Sequence, residues 1–160
     1  MVLAGLLAGG SHADGVEAPL ALVVSDRWQG LAEIPLPVLR QLYLGRRTRL
    51  AGRAVQCLHL PSGSAARSAF TRAVIGRSER TMERYWLRQA LSGGPPPPRE
   101  LEAGRALAWV AGEPGRLGYV VWDGGELPAG VRVVKLVVDG RARGPADPDY
   151  PLRLPAPPGS

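Results

Sequence analysis

Apolar positions in this chain come in short blocks separated by glycine- and proline-rich punctuation, and the length and period of each block predict its element. Leu20, Leu22, Val23 and Val24, bounded by Pro19 and Ser25-Asp26, predict a buried strand. Pro35 and Pro37 frame a helix start, because proline is tolerated in the first turn; Val38, Leu39, Leu42 and Tyr43 mark its inner face and Gly45 its end. Arg46 to Gly52 reads as a basic loop, followed by a second short strand from Ala54 to Leu60. Pro61-Ser62-Gly63-Ser64 predicts a tight turn, and Ala65 to Ile75 a helix stopped by Gly76, with Ala66, Phe70, Ala73 and Val74 as its apolar stripe. Ser78 can cap a helix from Glu79 to about Leu91, whose Met82, Tyr85, Trp86, Gln89 and Ala90 line one side and read as core. Ser92-Gly93-Gly94 and Pro95 to Pro98 then form an extended connector of polyproline character. Glu100 to Val110 returns to helix, with Ala103, Leu107, Val110 and Ala111 inward. Leu117 to Val121 and Val131 to Val138 are the last strands, after turns at Pro114-Gly115 and Asp123-Gly124-Gly125.

Strands alternating with helices imply an α/β fold, a three-layer sandwich with a mostly parallel sheet flanked by helices. At 160 residues and 45% apolar content the chain suffices for one domain with a real core, placed at 19–139. The 16 prolines and 21 glycines concentrate much of the remainder in turns and ends. Residues 1–18 open with Val-Leu-Ala-Gly-Leu-Leu-Ala and continue to Ser11-His12-Ala13, which suits the back half of an export signal without its basic start, or else a disordered N-terminus. The run is too short to span a bilayer. From Gly140 onward the Arg, Pro, Asp and Gly composition predicts a disordered tail, 140–160, with too little apolar area to offset its ordering entropy.

Charge and reactive side chains narrow the chemistry. The net charge of +6 comes almost wholly from arginine, since Lys135 is the only lysine. The arginines run from Arg27 to Arg153 with no patch beyond Arg46, Arg47 and Arg49, which argues against nucleic acid as a partner. Cys57 is the only cysteine; with His59 it shares one face of a strand, but two ligands make a poor metal site. A hydrolase reading of Ser64 fails on spacing. Positions 62 and 66 are serine and alanine where a nucleophile elbow needs glycine, and no histidine follows His59. No Ser-x-x-Lys pair or P-loop lysine exists either, so the chain reads as non-enzymatic, with no metal or cofactor expected.

The turn at residues 61–64 carries the best candidate site. A bend from strand into helix points unpaired N–H groups and the positive end of the helix dipole outward, which suits an anion. Ser62, Gly63, Ser64, Ala65, Ala66 and Arg67 are the predicted ligand-binding residues, at the carboxyl end of a strand where α/β sheets gather ligands. Arg67 lies off the apolar stripe, free to face solvent or ligand. Ser64 also serves as a plain N-cap, a reading that needs no ligand.

Several separated motifs then coincide with one family. Leu42-Tyr43-Leu44-Gly45-Arg46 resembles the helix end and Gly-Lys/Arg loop of phosphate ABC transporter substrate-binding proteins, of the type II periplasmic binding protein class. Gly63-Ser64-Ala65-Ala66-Arg67-Ser68-Ala69-Phe70 is similar to their Gly-Ser-Gly-Thr-Arg-x-x-Phe signature, here followed by Ala73-Val74-Ile75-Gly76. Tyr85-Trp86, Gly94-Pro95 and Pro114-Gly115-Arg116-Leu117-Gly118-Tyr119-Val120 fall in the same order. The resemblance implies a periplasmic or secreted module that binds inorganic phosphate or a similar oxyanion. Two departures matter: the chain matches one lobe of a two-lobed clam, and Ala65-Ala66 replaces the Gly-Thr, removing a hydroxyl. On an open lobe water screens each contact, so the expectation is a degenerate binder with weak or no phosphate affinity. The alternative is a protein-interaction module that docks on a membrane transporter, a sensor or a second copy of itself.

Overall fold

Every residue of β1, Leu20–Ser25, is buried, and the rest of the sheet is laid out on either side of it. The computed structural model describes residues 18–156; the predicted export segment lies outside the described residues except for Ala18. In chain order the further elements are β2 (Glu33–Pro35), α1 (Leu36–Tyr43), β3 (Arg49–Leu50), β4 (Arg53–Ala54), β5 (Gln56–His59), α2 (Ala65–Phe70), a π-helical turn (Thr71–Ile75), α3 (Glu79–Leu91), β6 (Arg99–Glu100), α4 (Ala103–Gly112), β7 (Arg116–Val121), β8 (Val131–Val138) and β9 (Arg141–Arg143).

The sheet order is β2-β8-β1-β7-β5-β6, with β9 also paired to β8. β2, β5, β6, β7 and β8 run in one direction, and β1 and β9 run against them. The α/β class and the mostly parallel sheet therefore agree with the sequence, but the central strand is the antiparallel one. A return strand at the centre lets the chain re-enter through β7 and β8 on both of its edges.

Side-chain alternation along β7 separates the layers. A Cβ on Gly118 would meet Val110 of α4 at 3.3 Å and Leu58 of β5 at 3.0 Å, so α4 covers that face closely. Its neighbour Tyr119 points to the other face and packs on Tyr43 of α1 and Phe70 of α2.

The predicted 54–60 strand divides in two. Ala51 and Gly52 both take positive φ, 47° and 78°, closing a two-residue β3–β4 hairpin, and Val55 separates it from β5. The 100–110 helix begins later, because Arg99 and Glu100 pair with Leu58 and His59 as β6; Ala106 and Val110 are its buried positions, while Ala103 is exposed. On α3, Met82 and Tyr85 are buried as expected, whereas Ala90 is exposed.

The predicted disordered tail is the clearest correction. β9 pairs with Leu136 to Val138, Tyr150 and Leu152 are buried, and the Tyr150 hydroxyl donates to the Leu20 carbonyl at 2.6 Å. Leu20 N donates to Leu152 O and Leu154 N to Ala18 O, both at 2.8 Å, which knits residues 150–154 to the entry of β1. Burial of two large side chains, about 1.5–3 kcal/mol each, acts with these hydrogen bonds to offset the ordering entropy of the stretch.

Candidate functional site

The turn after β5 is built as the sequence predicts. Ser64 is the N-cap of α2: its Oγ accepts from the Arg67 amide at 3.3 Å and donates to the Pro61 carbonyl at 2.7 Å. Gly63 has φ 84°, a left-handed conformation that a side chain would strain. The helix continues through the π turn to Gly76, whose φ of 78° ends it, and Arg40 Nε donates to the Val74 carbonyl at 2.7 Å near that end.

Beneath the turn lies an aromatic floor. Phe70 and Tyr119 stack with centroids 3.8 Å apart and planes 3° from parallel, and His59 meets both rings edge-on. His59 Nδ1 lies 2.9 Å from the Tyr119 hydroxyl, which also accepts from the Leu60 amide at 3.2 Å. Burial first, and the nearby Arg67 charge second, push His59 down to about 3, so it is neutral at physiological pH. Cys57 is half-buried, and burial pushes its thiol up to about 12, far from a nucleophile or metal ligand. Among the described residues no group of three His, Cys, Asp or Glu could hold a metal ion.

Two of the backbone donors at the mouth are engaged by carboxylates, which corrects the expectation of bare amides at Ser62 and Gly63. Ser62 N donates to Glu100 Oε1 at 2.9 Å and Gly63 N to Glu79 Oε1 at 3.1 Å. The other oxygen of Glu79 accepts from Ser68 Oγ at 2.5 Å. Arg67 is likewise not free: its Nη1 lies 3.2 Å from Glu100 Oε2 and 3.4 Å from the Leu60 carbonyl, and its Nε is 3.6 Å from Glu79. Glu79 starts α3, and Glu100 ends β6, whose parallel register sets it opposite His59 at the same end of β5. Burial alone would raise the Glu79 pKa, but the Ser68 hydroxyl, the Gly63 amide, Arg67 and Ser62 together hold it below the usual carboxylate value. The cluster therefore carries two carboxylates against one guanidinium. Of the remaining predicted residues, Ala66 is buried in the core and Ala65 is exposed at the helix start.

The predicted ligand-binding residues, Ser62 to Arg67, do not include Glu79 or Glu100. Glu79 carries the ordinary signal of an acid in a first helical turn, and Glu100 falls in what reads as a helix. The one sequence cue was an arginine beside an anion-type turn, which needs a counter-charge from somewhere.

The fold is a mixed sheet between helical layers, with a Ser-Gly-Ser bend and an arginine at a strand's carboxyl end, and it resembles one lobe of solved phosphate-binding proteins. The solved structures that it resembles are of that kind. A protein from Clostridium perfringens assigned as a phosphate ABC transporter substrate-binding protein, solved with bound phosphate, matches at TM-score 0.58 and 18% identity over 78% of this chain and 46% of its own. An ABC-type phosphate transport receptor from Vibrio cholerae matches at 0.57 and 14%, over 75% and 46%. PstS from Borrelia burgdorferi matches at 0.61 and 11%, over 89% and 56%. The chain thus spans about half the length of these structures, consistent with one lobe, and identities this low show the fold alone. No protein-family model matches the sequence, and no curated protein matches it. Among the described residues no helix is long and apolar enough to cross a membrane.

Proposed function

We propose that the chain is a non-enzymatic, exported binding lobe of the phosphate-receptor type whose Ser62 and Gly63 amides are occupied by its own carboxylates, leaving weak phosphate affinity or none. The observation that carries this reading is the pair of amide donations, Ser62 N to Glu100 and Gly63 N to Glu79. A phosphate dianion would have to displace both carboxylates and approach a cluster whose summed charge is already negative. Export and a periplasmic location rest on the apolar run from Val2 to Ala8 and the small residues after it.

Calorimetry with inorganic phosphate tests the reading. The wild-type chain should give no saturable heat below about 1 mM. Glu100→Ala removes the more exposed carboxylate, and combining it with Ala65→Gly and Ala66→Thr restores the signature; together these changes should strengthen binding about tenfold or more. Micromolar binding by the wild type would overturn the proposal, as would no gain in the combined variant.

One observation supports a second reading, a docking role on a transporter, a sensor or another copy. Beside the cradle, α2 and residues 148–155 enclose a groove of about 620 Å³ lined by Ala65, Ala69, Ala73, Tyr150 and Leu154. Sedimentation that shifts with concentration, abolished by Ala69→Glu, would support the self-association form; a strict monomer would count against it.

A further inference from the structure

At the opposite end of β5 a groove of about 340 Å³ opens between α1, α3, α4 and the proline connector. Its apolar walls include the indoles of Trp86 and Trp109 and the run Pro95 to Pro98. Gly45 makes this wall: a Cβ there would stand 2.8 Å from Pro95 Cγ and 3.5 Å from the Trp86 ring, so only glycine lets the connector close onto the end of α1. A polyproline wall is stiff before any ligand arrives, which lowers the ordering cost of binding.

The polar groups around the groove are of one sign. Arg47 and Arg99 line it together with Thr48 and Gln56, and among the described residues no Asp or Glu does. Among the described residues neither Arg47 nor Arg99 forms an ion pair, whereas Arg116, which sits over Trp109 at 4.7 Å, is paired with Glu113 at 3.3 Å. The guanidinium of Arg99 lies 6.0 Å from the Trp109 centroid, which places a cation beside an aromatic wall.

We propose that this groove binds a small planar aromatic carboxylate, with its ring against the indoles and prolines and its carboxylate at Arg47 and Arg99. The volume falls at the small end of known ligand sites and suits one or two fused rings. Apolar walls supply the affinity, and the uncompensated arginines supply the selection for charge, since guanidinium pairs with carboxylate in a bidentate fork. None of these residues belongs to the Glu79–Glu100 cluster, so the outcome is independent of the cradle's fate.

The test is calorimetry of the full chain with naphthoate, its neutral amide naphthamide, and adenosine monophosphate. Naphthoate should bind at one site with a dissociation constant below about 1 mM, and the amide about tenfold more weakly or not at all. The double variant Arg47→Glu/Arg99→Glu should weaken naphthoate about tenfold or more; both side chains are exposed, so the fold survives the change. Trp86→Ala should also remove binding, with circular dichroism checking its fold. No saturable naphthoate binding, equal binding of the amide, tighter binding of the nucleotide, or an unaffected double-arginine variant would each overturn the proposal.

Discussion

The two ends of β5 treat charge in opposite ways. At its carboxyl end Glu79 and Glu100 each lie within ion-pair reach of Arg67 and accept from a turn amide. At its amino end Arg47 and Arg99 border a groove with no acid in its lining among the described residues. The end that resembles a phosphate site by motif has its arginine and two of its amides engaged from within, and the end with no motif holds arginines without an ion pair among the described residues. Local sequence similarity therefore locates a piece of architecture, while charge balance indicates where an external anion is wanted.

This contrast implies that the carboxyl end is structural and the amino end expendable for folding, a difference that mutation can break. Phe70→Ala should cost most, about 4 kcal/mol by chemical denaturation, because it removes the ring stacked on Tyr119 under the turn. A loss below about 1 kcal/mol would mean the floor does not hold the cradle.

Acid comes next. His59 has its pKa lowered from 6.5 to about 3 in the fold, so between those values the unfolded chain binds the extra proton and stability falls as pH drops. From pH 7 to 4 the loss should be about 3 kcal/mol, and His59→Gln should remove that slope. An unchanged slope in the variant would contradict the neutral, buried histidine.

Glu79→Ala leaves the Gly63 amide, the Ser68 hydroxyl and Arg67 without this partner, and should cost about 2 kcal/mol, less than a fully buried pair because the site is partly solvated. Smallest of all, Arg47→Glu/Arg99→Glu should leave stability within about 0.5 kcal/mol of the wild type. A large loss there would show that the groove arginines serve folding and would erase the contrast.

Much of the fold was legible because its signals are local. Ser78 and the stripe through Met82 and Tyr85 fix α3 at Glu79–Leu91, and the valine-rich run from Val131 to Val138, broken only by Arg132 and Lys135, fixes β8. The segment ending at Leu154 was not legible, since Tyr150 and Leu152 stand isolated among prolines and charges and acquire meaning only against Leu20, far back in the chain. The direction of β1 relative to its neighbours is likewise a property of pairing, not of pattern. For the site, the turn and cap at Ser62 to Arg67 were legible. Their partners were not, because Glu79 and Glu100 arrive from a helix start and a two-residue strand through tertiary packing.

The central claim is that Glu79 occupies the Gly63 amide as an internal anion, and a pH titration followed by the Gly63 amide proton resonance tests it most directly. The account predicts a downfield amide at neutral pH that moves upfield only in acid, with a midpoint below the ordinary glutamate value of 4.5, and that loses this transition in Glu79→Gln. A Gly63 resonance that ignores pH, or that titrates identically in the variant, would contradict it.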